Sequence, residues 1–265
     1  MSARILLTGA AGRAASGIRA LLRDRGHELI LQDQRAPDEN PQAGEHLVLG
    51  DLGDDAVLAA AFESRIDLVV HLGGHSGERP LTEIVDANII GTQRVLEAAR
   101  RGGVERALLA SSTHVAGFWP TEAGLDPELP PRPDSFYGVG KVAVEALGSV
   151  YADRFGMIVV AARIGTIEAR PRNLRSLSTW LSFGDFVRLI EATLSTNASG
   201  FHHVWAVSAN TRSWFPTSSG SPIGFVPLDD AEVFASTIDA TAPALSDALI
   251  GGAFADLARP LGGTW

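Results

Sequence analysis

The sequence predicts an α/β fold, a doubly wound parallel sheet with helices on both faces. Three observations carry this. Short apolar runs recur along the first two-thirds of the chain and alternate with longer helical patterns, the order that builds strand–helix–strand units. A glycine-rich turn follows directly on the first run. Glycine and polar residues gather behind several later runs, at the strand ends where parallel sheets open their ligand crevice.

Bulk properties narrow the class. At 265 residues the chain suits one large domain, and 1–265 is read as one. A net charge of −9 argues against a partner made of nucleic acid and against an anionic membrane surface. The absence of cysteine excludes disulfides, thiol nucleophiles and cysteine-ligated metals. No apolar run approaches the roughly 18–20 residues needed to span a bilayer. The chain opens Met1-Ser2-Ala3-Arg4 and runs straight into an apolar strand, which leaves no room for a signal peptide, so the expected location is cytoplasmic.

The elements follow in order. Arg4-Ile5-Leu6-Leu7 reads as a buried strand. It ends in Thr8-Gly9-Ala10-Ala11-Gly12-Arg13-Ala14-Ala15, a tight turn into a helix whose N-terminus can hold a pyrophosphate. Glu28-Leu29-Ile30-Leu31 is the second strand, and Asp33 stands where a carboxylate meets an adenosine ribose. A carboxylate there repels a 2′-phosphate, which favours NAD over NADP; Arg13 and Arg35 are read as surface arginines. A third strand spans 47–52. Asp51 at its end either bonds an adenine amino group or caps the helix starting near Asp54. The fourth strand spans 67–74, its Gly73 and Gly74 standing where backbone can pass close to a cofactor. One long helix is expected over 81–101, carrying Asn88, a poor helix former, in its interior. Ala107-Leu108-Leu109-Ala110 is the fifth strand and opens into Ser111-Ser112-Thr113-His114. A proline-rich loop covers 120–133. A sixth strand follows at 159–162 and an amphipathic helix at about 181–194. The tail from about Thr241 carries weak signals and no assigned element.

The helix over 137–155 opens with Tyr137-Gly138-Val139-Gly140-Lys141. Lys141 is the only lysine in the chain, and one other tyrosine exists, Tyr151. At i and i+4 the two side chains share a helix face. Asp134 and Ser135 read as the N-cap, which puts Tyr137 in the first turn, where both the helix dipole and the Lys141 ammonium favour a phenolate. Gly140 and Gly148 suit close packing against another helix, including one from a second subunit.

The set Thr8-Gly9-Ala10-Ala11-Gly12, Asp33, Asn88-Ile89-Ile90-Gly91-Thr92, Ser111-Ser112 and Tyr137 with Lys141 resembles the extended short-chain dehydrogenase/reductases. That resemblance implies a Rossmann-like sheet with a small C-terminal substrate-binding region. His71-Leu72-Gly73-Gly74-His75-Ser76, Arg163-Ile164-Gly165-Thr166, 175–180 and 204–210 extend a similarity to the bacterial uronate dehydrogenases over nearly the whole chain. This implies NAD-dependent oxidation of D-glucuronate or D-galacturonate at C1 to an aldaro-lactone. It implies Ser112, Tyr137 and Lys141 as the catalytic set. It places Ser76, Ser112, Thr113, His114, Tyr137, Thr166 and Arg175 around the sugar acid, with substrate-binding elements mainly within 166–180 and 206–265. For the cofactor it implies Gly9, Ala11, Gly12, Arg13, Ala14, Asp33, Asp51, Leu52, Leu72, Gly73, Gly74, Asn88, Tyr137, Lys141 and Ile164. Thr113 and Thr166 depart from the family's asparagine and serine, and so bear on which sugar is preferred.

The expected partner is a small sugar acid, with a homo-oligomer formed through the helices near 81–101 and 137–155. Two other readings share the scaffold: a nucleotide-sugar epimerase or dehydratase, and a non-catalytic dinucleotide sensor. No metal is expected, because His71 and His75 flank two glycines at a strand end and have no acid partner in the pattern.

Overall fold

The computed structural model describes residues 2–122, 125–238 and 248–265. Its centre is a seven-stranded sheet, all parallel, in the order β3-β2-β1-β4-β5-β6-β9. The strands are β1 (Arg4–Thr8), β2 (Glu28–Asp33), β3 (Glu45–Leu49), β4 (Leu68–His71), β5 (Arg106–Ser112), β6 (Ile158–Ile164) and β9 (Phe201–Ala206). A two-stranded annex pairs β7 (Thr166–Ile167) with β8 (Trp180–Leu181).

Alternation along the strands feeds two cores. Ile5 and Leu7 pack on one face with α1 (Arg13–Asp24) and the helix Phe183–Ser195. Leu6 and Val69 pack on the other with α2 (Asp55–Ala61), α4 (Gly91–Arg101) and α5 (Phe136–Phe155). The strand order reverses between β1 and β4, and a ligand crevice belongs outside the carboxyl ends at that switch point.

Several expectations change. The third strand stops at Leu49 instead of reaching position 52, because Gly50 turns the chain away at φ 145°. The helix over 81–101 is three pieces: α3 (Leu81–Ile84), a π-helical turn (Val85–Ile90), then α4. Such wide turns cluster at functional sites, and Asn88 sits inside this one. The seventh strand of the sheet, β9, was not expected. Gly140 and Gly148 serve close approaches inside the chain. A Cβ at Gly140 would come within 2.5 Å of Ile84, and one at Gly148 within 2.9 Å of Leu109 and Phe201.

Part of the 206–265 region expected to meet substrate, positions 239–247, lies outside the described residues, as do positions 123–124 of the proline-rich loop. Beyond the gap, 248–251 runs antiparallel to 117–121, with Ile250 N donating to Trp119 O at 2.9 Å and Gly251 N to Gly117 O at 2.8 Å. The tail then returns to the catalytic half, where Gly262 N donates to Glu78 Oε1 at 2.8 Å. Among the described residues no helix is long and apolar enough to cross a membrane.

Candidate active site

The carboxyl ends of β1, β4, β5 and β6 open on a cleft of about 1240 Å³. A smaller hollow of about 220 Å³ branches from it, and His114, Gly165 and Thr166 line both. A long cleft with a side hollow suits a dinucleotide beside a small second ligand.

The cofactor half is built from backbone. Gly9 adopts φ 70°, and a Cβ there would lie 2.8 Å from backbone atoms of Leu72 and Gly73. The glycine therefore serves both the turn and the close approach of the β1 and β4 loops. Gly9→Ala is expected to weaken NAD binding at least tenfold in a fluorescence titration. The first turn of α1 has no side-chain cap and no acidic residue, so its N–H groups fit an anion such as a pyrophosphate. Asp33 is held at the wall, its Oδ2 accepting from Ala11 N at 2.9 Å and its Oδ1 from Arg35 N at 3.2 Å. Gly12, Arg13, Ala14, Asp51, Leu52, Leu72, Gly73, Gly74 and Ile164 all line the cleft.

Two of the cofactor residues expected from the sequence do not face it. Ala11 is buried, and its backbone joins Asp33 and Arg35. Asn88 is 1% exposed. Its Oδ1 accepts from His75 N and its Nδ2 donates to His75 O, both at 2.9 Å, so the amide is spent pinning the loop after β4. Arg94 was not anticipated. Its Nε donates to Leu52 O at 3.0 Å and holds the loop that follows β3.

His71 lies beneath this half, its Nδ1 2.7 Å from Thr8 Oγ1 and its Nε2 3.0 Å from Thr92 Oγ1. Burial, reinforced by the charge of Lys141, holds its pKa down at about 3, so the ring is neutral. With both nitrogens committed to hydroxyls it has no ligand position to offer a metal.

The catalytic candidates meet at the centre. Ser112 ends β5, while Tyr137 and Lys141 occupy the first turns of α5; all three line the cleft and are almost fully buried. Ser112 favours the ionised form of the Tyr137 phenol. Lys141 Nζ donates to Ala110 O at 2.7 Å and lies 5.5 Å from the centre of the Tyr137 ring.

The electrostatics differ from expectation. Burial first, only partly relieved by Ser112, and then the charge of Asp134 push the phenol up to about 12. Burial likewise lowers Lys141 to about 8. The helix N-terminus offers less help than its dipole suggests, because its donors are already used. Glu78, 0% exposed, accepts from Phe136 N at 3.2 Å and Tyr137 N at 2.8 Å. Ser135 Oγ caps Gly138 N at 3.0 Å. In the protein alone the phenol is a neutral hydrogen-bonding group.

The smaller hollow collects the remaining candidates. Thr113, Thr166 and Arg175 line it, and Ser76 lines the adjoining cleft. Thr166 Oγ1 lies 2.9 Å from Thr179 Oγ1. The Arg175 guanidinium stacks 4.6 Å from the Trp214 ring and donates to Leu249 O at 3.4 Å and to Ile250 O. Arg172 lines the hollow too and pairs with Glu168 at 2.6 Å. Phe254, from the tail that carried no assigned element, stacks on His114 with ring centres 4.0 Å apart.

Residues 5–183 match the NAD dependent epimerase/dehydratase family. The chain belongs to that family. It is 41% identical over 239 residues to the uronate dehydrogenase of Pseudomonas syringae pv. tomato, covering 89% of this chain and 86% of that one. It superposes on the crystal structure of uronate dehydrogenase from Agrobacterium tumefaciens with a TM-score of 0.90 and 38% identity, over 98% of each chain. A variant of that Agrobacterium enzyme complexed with NAD gives a TM-score of 0.89 and 37% identity, over 98% of this chain and 99% of that one.

Proposed function

We propose that this protein oxidises a uronate such as D-glucuronate or D-galacturonate at C1, yields the aldaro-lactone, and passes hydride to NAD. The observation that carries the reading is the convergence of Ser112, Tyr137 and Lys141 on the wall of a dinucleotide-shaped cleft, where it meets a hollow bordered by Arg175. The named relatives support the substrate class.

The residues divide the work. The first turn of α1 receives the pyrophosphate and Asp33 the adenosine ribose. Bound NAD would supply the hydride acceptor. Tyr137, ionised in the complex, takes the proton of the C1 hydroxyl, and Ser112 holds the same oxygen as charge shifts. Lys141 contributes its ammonium and a donor toward the nicotinamide ribose. Arg175 grips the carboxylate, so binding energy at the far end of the sugar orients C1. Its stacking on Trp214 and its bonds to the 249–250 backbone fix the plane of that grip.

A panel of free sugars, sugar acids and UDP-sugars, each with NAD and NADP and read by absorbance of the reduced cofactor, tests the assignment. Stoichiometric NADH from uronates is expected, with none from UDP-sugars. Silence on every uronate would overturn it. Arg175→Ala should lower kcat/KM for uronates by about 10²-fold while costing the neutral aldose much less. Equal losses on both would remove the clamp.

The protein is further read as acting in the cytoplasm as a homo-oligomer. Leu81, Val85 and Ile90 before α4, with Val139, Val150 and Phe155 on α5, leave large apolar side chains exposed on the helices expected to pair. Sedimentation velocity would expose a monomer if this is wrong.

A further inference from the structure

The buried acid Asp134 has a place in no step above. Its side chain is 0% exposed, and Oδ2 lies 2.8 Å from His114 Nδ1. Oδ1 accepts from Ser135 Oγ at 2.8 Å. Two glycines make the room: a Cβ at Gly117 or at Gly251 would come within 1.9 Å of Oδ2. These glycines belong to the strands joined by the bond from Gly251 N to Gly117 O, so the backbone itself walls the carboxylate in. The His114 ring is clamped from other sides. Phe254 stacks on it at 4.0 Å, and the Tyr137 ring meets it edge-on at 5.7 Å. His114 nevertheless lines both the main cleft and the hollow.

A carboxylate only accepts, so the ring atom facing it must carry the proton. The neutral imidazole then has an unprotonated Nε2, an acceptor. We infer that Asp134 is a positioning residue for the substrate: it fixes His114 as the Nδ1–H tautomer, so that Nε2 accepts a hydrogen bond from one sugar hydroxyl. Substrate recognition then splits by chemistry. Arg175 reads the carboxylate by donating, and His114 reads a hydroxyl by accepting. The Ser135 bond adds a mechanical link, because Ser135 also caps the helix that carries Tyr137. The acid that aims His114 thus shares its anchor with the candidate base.

The inference rests on the uronate reading only for the identity of the hydroxyl donor, and the tautomer can be measured without substrate. In protein labelled with ¹⁵N at histidine, two-dimensional NMR of the holoenzyme should show His114 protonated at Nδ1 and bare at Nε2. A proton on Nε2 of the neutral ring would overturn the proposal. Asp134→Asn, nearly isosteric inside its glycine walls, should leave NAD affinity unchanged, convert His114 to a mixture of tautomers, and raise the KM for uronate about tenfold with a smaller change in kcat. A KM within twofold of wild type would also overturn it. Mono-deoxy uronates sharpen the result: against the one lacking the hydroxyl that His114 reads, Asp134→Asn should add no further loss. An equal added loss on every deoxy sugar would show Asp134 to be merely structural. The wild-type tautomer decides the point even if Asp134→Asn does not fold. If the wild type reduces no NAD with any uronate, the functional reading fails while the tautomer assignment still stands or falls on its own spectrum.

Discussion

Tyr137→Phe is expected to bind NAD as tightly as the wild type and to lose about 10²–10⁴-fold in turnover. The substitution removes one oxygen from a ring that is 7% exposed, and the ring packs against His114 and Phe254, so its position should hold. What disappears is the group proposed to take the C1 proton. Burial and Asp134 hold the phenol up at about 12 in the protein alone. Proton transfer at neutral pH therefore requires the phenol to ionise more readily in the complex than in the protein alone, and turnover should rise with pH until the phenol titrates in the complex. That rise should vanish in Tyr137→Phe. Stopped-flow measurement of the first turnover separates this loss from product release. A variant that retained more than a tenth of the wild-type rate would eliminate Tyr137 as the base.

The sheet was legible because its central strands are apolar on both faces. Ile5, Leu6, Val69, Val70, Leu108 and Val160 are each 0% exposed, and such runs announce themselves without any partner. β9 did not, since it begins Phe201-His202-His203, and His203 finds its reason only in Glu145 and Glu128 across the fold. The glycine turn, Asp33 and the Tyr137–Lys141 pair were legible because their spacing is itself the mechanism. Buried acids were not. Glu78 looks like any surface carboxylate in sequence, and Asp134 reads there as half of an N-cap; the backbone N–H groups that bury the one and the histidine that faces the other come from distant segments. Asn88 was noticed for the right local reason, its poor fit to a helix. That its amide would turn toward the His75 backbone instead of the cleft depends on the π turn, which no periodicity reveals. The raised phenol follows from the same blindness, because the burial of Tyr137 and the nearness of the Asp134 carboxylate are set by the tertiary fold.

Glu145→Ala is expected to cost about 3–5 kcal/mol and to lower the melting temperature by roughly 10 °C, the second large effect. Glu145 lies one turn beyond Lys141 on α5 and pairs with Arg163 through two bonds of 2.8 Å. Arg163 is 2% exposed, so truncation leaves a guanidinium buried with the Pro127 carbonyl and the Trp205 face as its remaining named contacts. Burial acts to raise the Glu145 pKa. Hydrogen bonds from Arg163 and His203, the charge of Arg163 and the Ser111 hydroxyl outweigh it and hold the carboxyl at about 2. Because the folded value lies below the ordinary 4.5, the stabilisation is complete above pH 4.5 and is lost as pH falls toward 2. Melting curves of wild type and Glu145→Ala should therefore converge at low pH. Glu145→Leu with Arg163→Met removes both charges and should recover most of the loss at neutral pH, since an apolar pair of similar volume has no desolvation to offset. Activity need not follow stability. Ser111 donates to Glu145 at 2.6 Å and is the neighbour of Ser112, so Glu145 ties β5 to α5 through this hydrogen bond and β6 to α5 through the ion pair, close to Ser112 and to the helix that carries Tyr137. If that tie sets the distance between Ser112 and Tyr137, the apolar double variant will melt near wild type yet turn over more slowly. Wild-type turnover in the double variant would show that the buried charges hold the fold and leave the catalytic geometry to other contacts.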